Sequence, residues 1–489
     1  MTLQLEQQLY QEPCYIEPTV RKTDIELSPA TDAVIIGFWI VLGLIGLAII
    51  SILKMPLMGA FFIGIPTFAL MVLKPTLALF VFMLVLPTGG GFAYQEMFSL
   101  TKGVGLALTV SFLLNIMLTR PRLYWRNKTI LAAGLFLLWI TFCSFTYPHR
   151  WLELSTRALT TLQLFGLMLI AFWIIRSNGT RSLIWVLRGY VIGSMATNIG
   201  TMLTGKAMES ITYGAQTRYT ATLGQTVGAN LLAAITGAAF FAAVYLFIRD
   251  RSLLWRLFHL SAMLFLPLIM LKIGSRSNLL ALGVAFVVAS TLSNIVRKHP
   301  KLFLGFILVF IIAGAAAFFF IKKGGLQQQE QVTERLTDIE YARQSFNYRL
   351  FLVKKAIRAA LSYPLGTGYW SFFDRVNWYQ WPHSGLFHIM GVYGIPGLII
   401  FLSMLFFTFR IITRMVSGPE KLFSLALFTF LVVASQANVL SFKKIYWLSI
   451  GIIMACEGIS QIYAQSEQEN YFDGWDNNYT ENGYLYEGY

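Results

Sequence analysis

Charged residues are scarce in this sequence. They make up 12% of its 489 positions, and hydrophobic residues make up 56%, whereas soluble domains carry about 25% charged residues. Apolar stretches long enough to cross a bilayer as helices recur along most of the chain. The scarcity of charge therefore excludes a soluble globular protein and predicts an all-α polytopic membrane protein.

Cysteines and nucleotide or metal motifs are also scarce. None of the three cysteines, Cys14, Cys143 and Cys456, falls in a segment expected outside the cell, so no disulfide framework is predicted. The chain has no P-loop, dinucleotide fingerprint or nucleophile elbow. Its outer segments have no His/Asp/Glu cluster at metal-ligand spacing. We therefore expect neither a cofactor nor a metal ion.

The apolar segments predict 12–14 transmembrane helices. Segment 75–87 is short, and Pro56, Pro66 and Pro75 interrupt the region around it. Residues 56–87 are therefore interpreted either as two spans or as one broken hairpin. The segments lie near residues 33–53, 56–73, 75–87, 100–118, 129–146, 155–175, 183–204, 227–248, 253–272, 277–296, 302–321, 384–409, 421–440 and 444–463.

The net charge of +15 comes from basic residues in alternate short loops. Such clusters are typical of topology signals, and the lack of a compact basic domain excludes nucleic-acid binding. The positive-inside rule makes these loops and both termini cytoplasmic. The clustered residues are Arg120, Arg122, Arg126, Lys128, Arg176, Arg181, Arg249, Arg251, Arg297, Lys298, Lys301, Arg410, Arg414 and Lys421.

Five parts of the chain follow from these spans. They are a cytoplasmic tail (1–32), a transmembrane bundle (33–322), a large outer loop (323–382), C-terminal transmembrane helices (383–463) and an acidic, tyrosine-rich cytoplasmic tail (464–489). The first tail has no basic-then-apolar run, so we expect no cleavable signal peptide, and we expect the first span to direct membrane insertion.

The outer loop contains a periodic apolar pattern. Leu350, Val353, Ile357 and Leu361 recur at helical spacing, and the pattern ends before Pro364. It predicts an amphipathic helix that either lies on the outer membrane face or covers a cavity. Aromatic residues follow it, and they indicate either an interfacial belt or a platform on which sugars stack. They are Trp370, Phe372, Phe373, Trp378, Tyr379 and Trp381.

His383 stands where this loop enters an apolar helix. Ionisable residues at such a boundary are candidates for function, although a lone histidine at a helix end is often structural. Arg218 and Arg276 are predicted on the same outer side, where basic residues are otherwise few. Each is either a snorkelling anchor or a phosphate-binding fork. His259 and His299 are predicted at the cytoplasmic side.

Four segments resemble the O-antigen ligase and polymerase family in the family's order. They are Arg218–Ala233, which has Ala221 in place of the family's first glycine, Gly274-Ser-Arg276-Ser, the Pro364-Leu-Gly-Thr-Gly368 exit of the loop helix, and His383-Ser384 with the glycines that follow. The resemblance covers residues 205–410. It implies a metal-independent membrane glycosyltransferase of the bacterial inner membrane that uses an undecaprenyl-diphosphate-linked glycan.

The resemblance also implies roles for individual residues. Arg218 and Arg276 are expected to hold the diphosphate, and His383 is expected to act as a base near the acceptor hydroxyl. Further substrate contacts are expected from Arg349, Arg358, Tyr369, Trp370 and Asp374. The expected partners are the lipid-linked glycan, a glycan or lipid A core acceptor, membrane lipids and other polysaccharide-assembly proteins.

Several functions stay open at this point. The acceptor is a lipid A core for a ligase, another lipid-linked repeat for a polymerase, or a protein hydroxyl, and the long tails favour an exopolysaccharide polymerase. A polysaccharide transporter or lipid-linked glycan flippase has a similar number of spans, but it would carry charges along a central path. A signalling or scaffold protein would not depend on His383, Arg218 or Arg276.

Overall fold

The computed structural model describes residues 64, 67–88, 100–121, 123–204, 207–210, 216–219, 229–293, 339–377 and 381–462. Within them the protein is built almost entirely from apolar helices. Two short strands, β1 (Ala207–Ser210) and β2 (Gln216–Tyr219), pair antiparallel before the sixth helix. The helices are α1 (Pro75–Val85), α2 (Leu100–Thr119), α3 (Lys128–Thr146), α4 (Arg150–Glu153), α5 (Leu159–Thr204), α6 (Ala229–Arg249), α7 (Leu253–Ile273), α8 (Arg276–Leu292), α9 (Ile339–Ser362), α10 (Phe372–Val376), α11 (Gly385–Arg414), α12 (Pro419–Ser435) and α13 (Lys444–Ile462).

Seven helical segments in the described part are long and apolar enough to cross a membrane. This confirms an all-α polytopic membrane protein. The longest segment, Arg150–Gly200, has 51 residues and would extend about 75 Å as one helix, more than twice the apolar thickness of a bilayer. Gly179 breaks it, with φ 69° and ψ −155°. The break falls between the predicted segments 155–175 and 183–204.

Some predicted segments lie outside the described residues. These include both tails, span 33–53 and span 302–321, so the total of 12–14 spans stays a prediction. The region around 56–87 is described from residue 67 onward. There, Lys74 leaves the helical conformation (φ −127°) before Pro75 begins α1, which is the kind of break that the prolines indicate.

The helix α1 and the second half of α5 pack side by side and run in the same direction, as the predicted order of spans requires. Thr76 of α1 hydrogen-bonds Ser182 (3.0 Å between hydroxyl oxygens), and the next turn pairs Phe80 with Trp185 (6.0 Å between ring centroids). Both sequence positions increase together, so α1 and the second half of α5 are parallel. The alternation of spans 75–87 and 183–204 requires the same arrangement; which end faces outward stays a prediction.

A buried carboxylate joins α5, α6 and α7. Asp250, 4% exposed, accepts hydrogen bonds from Arg188 Nε (3.3 Å) and Nη2. His259 Nε2 lies 2.8 Å from Asp250 Oδ2, the oxygen that also accepts from Arg188 Nε. His259, which is predicted on the cytoplasmic side, therefore belongs to a structural hydrogen-bond network. The positive charge of Arg188 is neutralised by Asp250.

Replacing Asp250 with alanine is expected to destabilise the protein by about 3–5 kcal/mol, because Arg188, whose side chain is only 11% exposed, loses its counter-charge. The measurement is the thermal unfolding midpoint of the purified protein in detergent. Arg188→Met in the Asp250→Ala background is expected to recover most of the loss. A double variant no more stable than Asp250→Ala would contradict this explanation.

Candidate functional site at one end of the bundle

Antiparallel packing brings the start of α6 beside the end of α12. Near the middle of α6, a Cβ on Gly237 would meet the ring of Phe430. Further along, Tyr245 donates a hydrogen bond to Glu420 at the start of α12 (2.9 Å). The sequence positions run in opposite senses. The start of α6 and the end of α12 therefore share one end of the bundle, which we call the site end.

Arg276 follows a tightly fixed turn at the site end. Gly274 caps α7 in the left-handed conformation (φ 67°), and Arg276 is the first residue of α8. Ser275 Oγ donates to Asn230 Oδ1 (3.1 Å), and Asn278 Nδ2 donates to Asn230 O (3.1 Å) and to Ser275 Oγ (2.8 Å). These bonds tie the turn that carries Arg276 to the start of α6.

Arg218 lies on the ribbon before α6. Its backbone stands opposite Met208 in the antiparallel register, and β2 contacts α7. α6 follows β2 closely along the chain and starts at the site end, so the strand of Arg218 connects to the part of the fold that carries the Arg276 turn. The sequence predicted an outer loop here without a strand pair.

His383 precedes α11 and is exposed. The next residue, Ser384, donates its hydroxyl to Gln436 Oε1 (2.9 Å) directly after α12, so His383 also lies at the site end. Burial of part of the ring and, secondarily, the positive charge of Arg349 on α9 lower the pKa of His383 from 6.5. The neutral imidazole, which can accept a proton, is therefore favoured at neutral pH.

A break in α11 explains one part of the sequence motif. Gly394 adopts φ 74° and ψ −173°, so the carbonyl groups before it lose their helical partners. Thr367 donates its N–H (3.3 Å) and hydroxyl (3.0 Å) to Gly391 O, and Gly368 N–H donates to Val392 O (3.0 Å). The exit of the loop helix thus supplies the donors that the broken helix lacks.

Side chains of α3 and the residue just after it complete this repair. Trp139 Nε1 donates to Tyr393 O (2.9 Å), and the Tyr147 hydroxyl donates to Val392 O (3.0 Å). In the opposite sense, Ile395 N–H donates to Pro364 O (3.0 Å). The Pro-Leu-Gly-Thr-Gly exit and the Gly-Val-Tyr-Gly-Ile segment are therefore two halves of one hydrogen-bonded unit, which we call the motif junction.

The predicted amphipathic helix is present as α9, and it packs on α11. Its buried face consists of Leu352, Ala356, Ala359 and Ala360. The apolar residues at the spacing noted in the sequence are on the other face: Leu350, Ile357 and Leu361 are exposed, and Val353 is half-buried. An exposed apolar face with basic residues beside it favours the arrangement on the membrane surface.

The aromatic residues after α9 pack largely on one another. The Trp381 ring lies 4.0 Å from Tyr369, 5.1 Å from Phe372 and 4.2 Å from Phe373, centroid to centroid. Trp370 is 37% exposed, and its indole N–H donates to Thr156 Oγ1 (3.2 Å). Residues 378–380 lie outside the described residues.

Two further predicted contacts are exposed. Arg358 on α9 and Asp374 on α10 are accessible and make no hydrogen bond or ion pair with the residues that the structure describes. Arg349, by contrast, is close enough to His383 to affect its titration.

Sequence reasoning missed Glu153 and Arg157. Glu153 is fully buried, and its Oε1 accepts the backbone N–H of Trp370 (2.7 Å). Arg157 lies in a π-helical turn, Leu154–Ala158, with its guanidinium 3.1 Å from the centroid of the Tyr369 ring. The available signal was the pair of opposite charges, Glu153 and Arg157, at the start of the apolar span 155–175. This span was treated as purely apolar in the sequence-based prediction, and the pair was not considered.

The fold and the motif junction define an all-α polytopic membrane protein with a helical loop docked on a broken transmembrane helix. Residues 260–402 match the family model for O-antigen ligase. This match supports an O-antigen ligase/polymerase-like protein, a class that acts in polysaccharide or lipopolysaccharide biosynthesis. The matched segment includes Arg276, His383 and the motif junction residues that follow α9 and lie in α11. No curated protein matches the chain.

The family match indicates a glycosyltransferase-like enzyme of O-antigen ligase type. Such an enzyme has two substrates, a lipid-linked glycan and an acceptor. Arg218 and Arg157 lie before the matched segment, so the family match does not extend to them.

Proposed function

We propose that this protein transfers an undecaprenyl-diphosphate-linked glycan to an acceptor hydroxyl at the outer face of the bacterial inner membrane. Arg218 and Arg276 bind the diphosphate, His383 is the base, and no metal ion takes part. The observation that supports the proposal is that the Arg276 turn and His383 both lie at the site end, where α6 begins shortly after the strand of Arg218.

The chemistry requires charge stabilisation on one side of the sugar and proton removal on the other. As the bond between the sugar carbon and the diphosphate oxygen breaks, negative charge grows on the leaving diphosphate. Guanidinium groups stabilise that charge and stay protonated at any physiological pH. The acceptor oxygen forms the new bond, and its proton passes to a nitrogen of His383, which the lowered pKa keeps available as a base.

Arg349 is expected to set part of the pH dependence. Because its positive charge disfavours protonated His383, Arg349→Gln should raise the pKa of His383 and move the acidic limb of the kcat/KM profile to higher pH. Burial, the larger cause, remains, so the limb should stay below the 6.5 of an ordinary histidine. Arg349→Lys, which keeps the charge, should leave the limb unmoved.

The pH at which the acidic limb of the kcat/KM profile falls decides this test. If Arg349 only contacted the substrate, its loss would lower kcat/KM equally at every pH and would not move the limb. An acidic limb that does not move in Arg349→Gln would show that Arg349 has no influence on the base.

A direct test of transfer uses the purified full chain in detergent micelles with lipid-linked glycan, acceptor and EDTA. Product is expected with the chelator present. A transporter or flippase would give none, because it moves the lipid-linked glycan without breaking the bond between the sugar and the diphosphate. Loss of product on chelation, restored by added divalent metal, would contradict the metal-independent reaction.

The acceptor is identified by the glycan of a deletion strain. Single repeats on the acceptor indicate a lost polymerase, whereas long chains left on the lipid carrier indicate a lost ligase. Either product pattern supports transfer, and a normal glycan profile contradicts it.

A further inference from the structure

Buried polar atoms without partners surround Arg157. Within the described part of the chain, Arg157 Nε, Glu153 Oε2, His388 Nδ1 and Tyr393 Oη have no hydrogen-bond partner. Glu153 and Tyr393 are 0% exposed and His388 is 2% exposed, and all three lie within electrostatic reach of Arg157. Since more than about 90% of buried polar groups are normally satisfied, this set indicates a place for a polar ligand.

The charge of this cluster is positive. Lys443, exposed just after the short helix Leu440–Phe442, is a second cation near Arg157. Partial burial of its ammonium group and, after it, the charge of Arg157 lower the pKa of Lys443. Glu153 supplies one negative charge against two positive charges. A guanidinium fork beside an ammonium group is suited to an oxyanion.

The neighbouring groups are suited to a sugar. The Tyr369 ring covers one face of the Arg157 guanidinium and stacks on Trp381 (4.0 Å, interplanar angle 19°). Glu153 Oε2 can accept a hydroxyl hydrogen, and the Tyr393 hydroxyl can donate or accept. The π-helical turn that presents Arg157 is a local irregularity of the kind found at functional sites.

We propose that Glu153, Arg157, His388, Tyr393 and Lys443 form a subsite for a sugar residue that carries an oxyanion, either a carboxylate or a phosphate ester. This inference rests on the proposed function, because it names a feature of the glycan that the transferase handles. The subsite is carried by other elements of the fold than the Arg218 and Arg276 pair. Lys443 is its exposed member and Glu153 is fully buried.

The test measures binding to the full chain in lipid nanodiscs by calorimetry. The probes are cellobiose, cellobiouronic acid and cellobiose 6-phosphate, which differ in the presence and kind of anion. At least one anionic disaccharide is expected to bind about tenfold more tightly than cellobiose, as a charge-assisted contact allows. The tighter of the two identifies the anion as carboxylate or phosphate.

Variants assign that preference to residues. Arg157→Gln and Lys443→Gln are expected to reduce it to within about twofold, the loss expected when a charge-assisted contact is removed. Lys443 is exposed, so its variant decides the matter if Arg157→Gln fails to fold. Lys354→Gln, at an exposed lysine on the outward face of α9, is the matched control and should keep the preference.

Three results would overturn the inference: equal binding of the three probes by the wild type, a preference that survives Lys443→Gln, or a preference that disappears in Arg276→Gln instead. In the last case the anion binds at the proposed diphosphate pair. None of these binding results bears on whether glycan transfer depends on His383. The proposed subsite can therefore be contradicted without contradicting the proposed transfer reaction, and the reverse also holds.

Discussion

Gly394→Ala is expected to remove most of the folded protein from the membrane. The residue has φ 74°, where a left-handed conformation costs an L-residue about 1–2 kcal/mol. A Cβ there would also overlap the Pro364 carbonyl oxygen and crowd Gly366 N. Relieving the overlap separates the two halves of the motif junction and leaves buried carbonyls without donors, at about 1–3 kcal/mol for each. The sum falls in the range of the most damaging substitutions, above about 4 kcal/mol.

The measurement is the amount of monodisperse protein extracted from membranes, together with its thermal midpoint. Gly283→Ala is the matched control, because this glycine lies in α8 and a methyl group added to it would meet no other atom within 4 Å. It should leave both quantities unchanged or slightly raised. Equal yields and midpoints for the two variants would mean that the junction does not hold α11 in place.

His383→Ala and Arg276→Gln are expected to lower kcat/KM for glycan transfer at least about 100-fold each. General-base catalysis contributes about 10²–10⁴-fold, and an oriented cation on the leaving group contributes a similar factor. The rate is measured with the purified chain at saturating and limiting lipid-linked glycan. Combining the two changes should lower the rate by less than the product of the single effects, since both act on one transition state.

His149→Ala is the control for the histidine, because His149 is also exposed but precedes α4 and takes no part in the proposed chemistry. It should transfer at nearly the wild-type rate. Wild-type turnover by His383→Ala, at normal protein levels, would contradict the assignment of His383 as the base, but it would not affect the match of residues 260–402 to the O-antigen ligase model.

The sequence predicted the helices well because their apolar composition depends on the bilayer alone. It located α9 and its end before Pro364, and it placed spans on both sides of the break at Gly179. It did not predict which face of α9 is buried. The inward face carries alanines, which allow close approach to α11, while the larger apolar side chains that dominate the periodic pattern point outward.

The candidate site was predicted in part. The motif order pointed to Arg276 and His383, because turns and helix starts leave a local signal. Arg157 and Glu153 were missed, since their importance depends on Trp370 and Tyr369, more than 200 positions away. Hydrogen bonds across such separations leave no periodic trace in a sequence.

The motif junction also constrains how the chain is assembled during synthesis. The Trp139 donor and the Tyr393 carbonyl are 254 positions apart, so α3 enters the membrane long before its partner exists. The broken α11 cannot rest alone in lipid, where each unpaired carbonyl group costs several kcal/mol. Its insertion therefore depends on an α3 that is already in place, and biogenesis of this end of the bundle has an obligatory order from the N-terminal half to the C-terminal half.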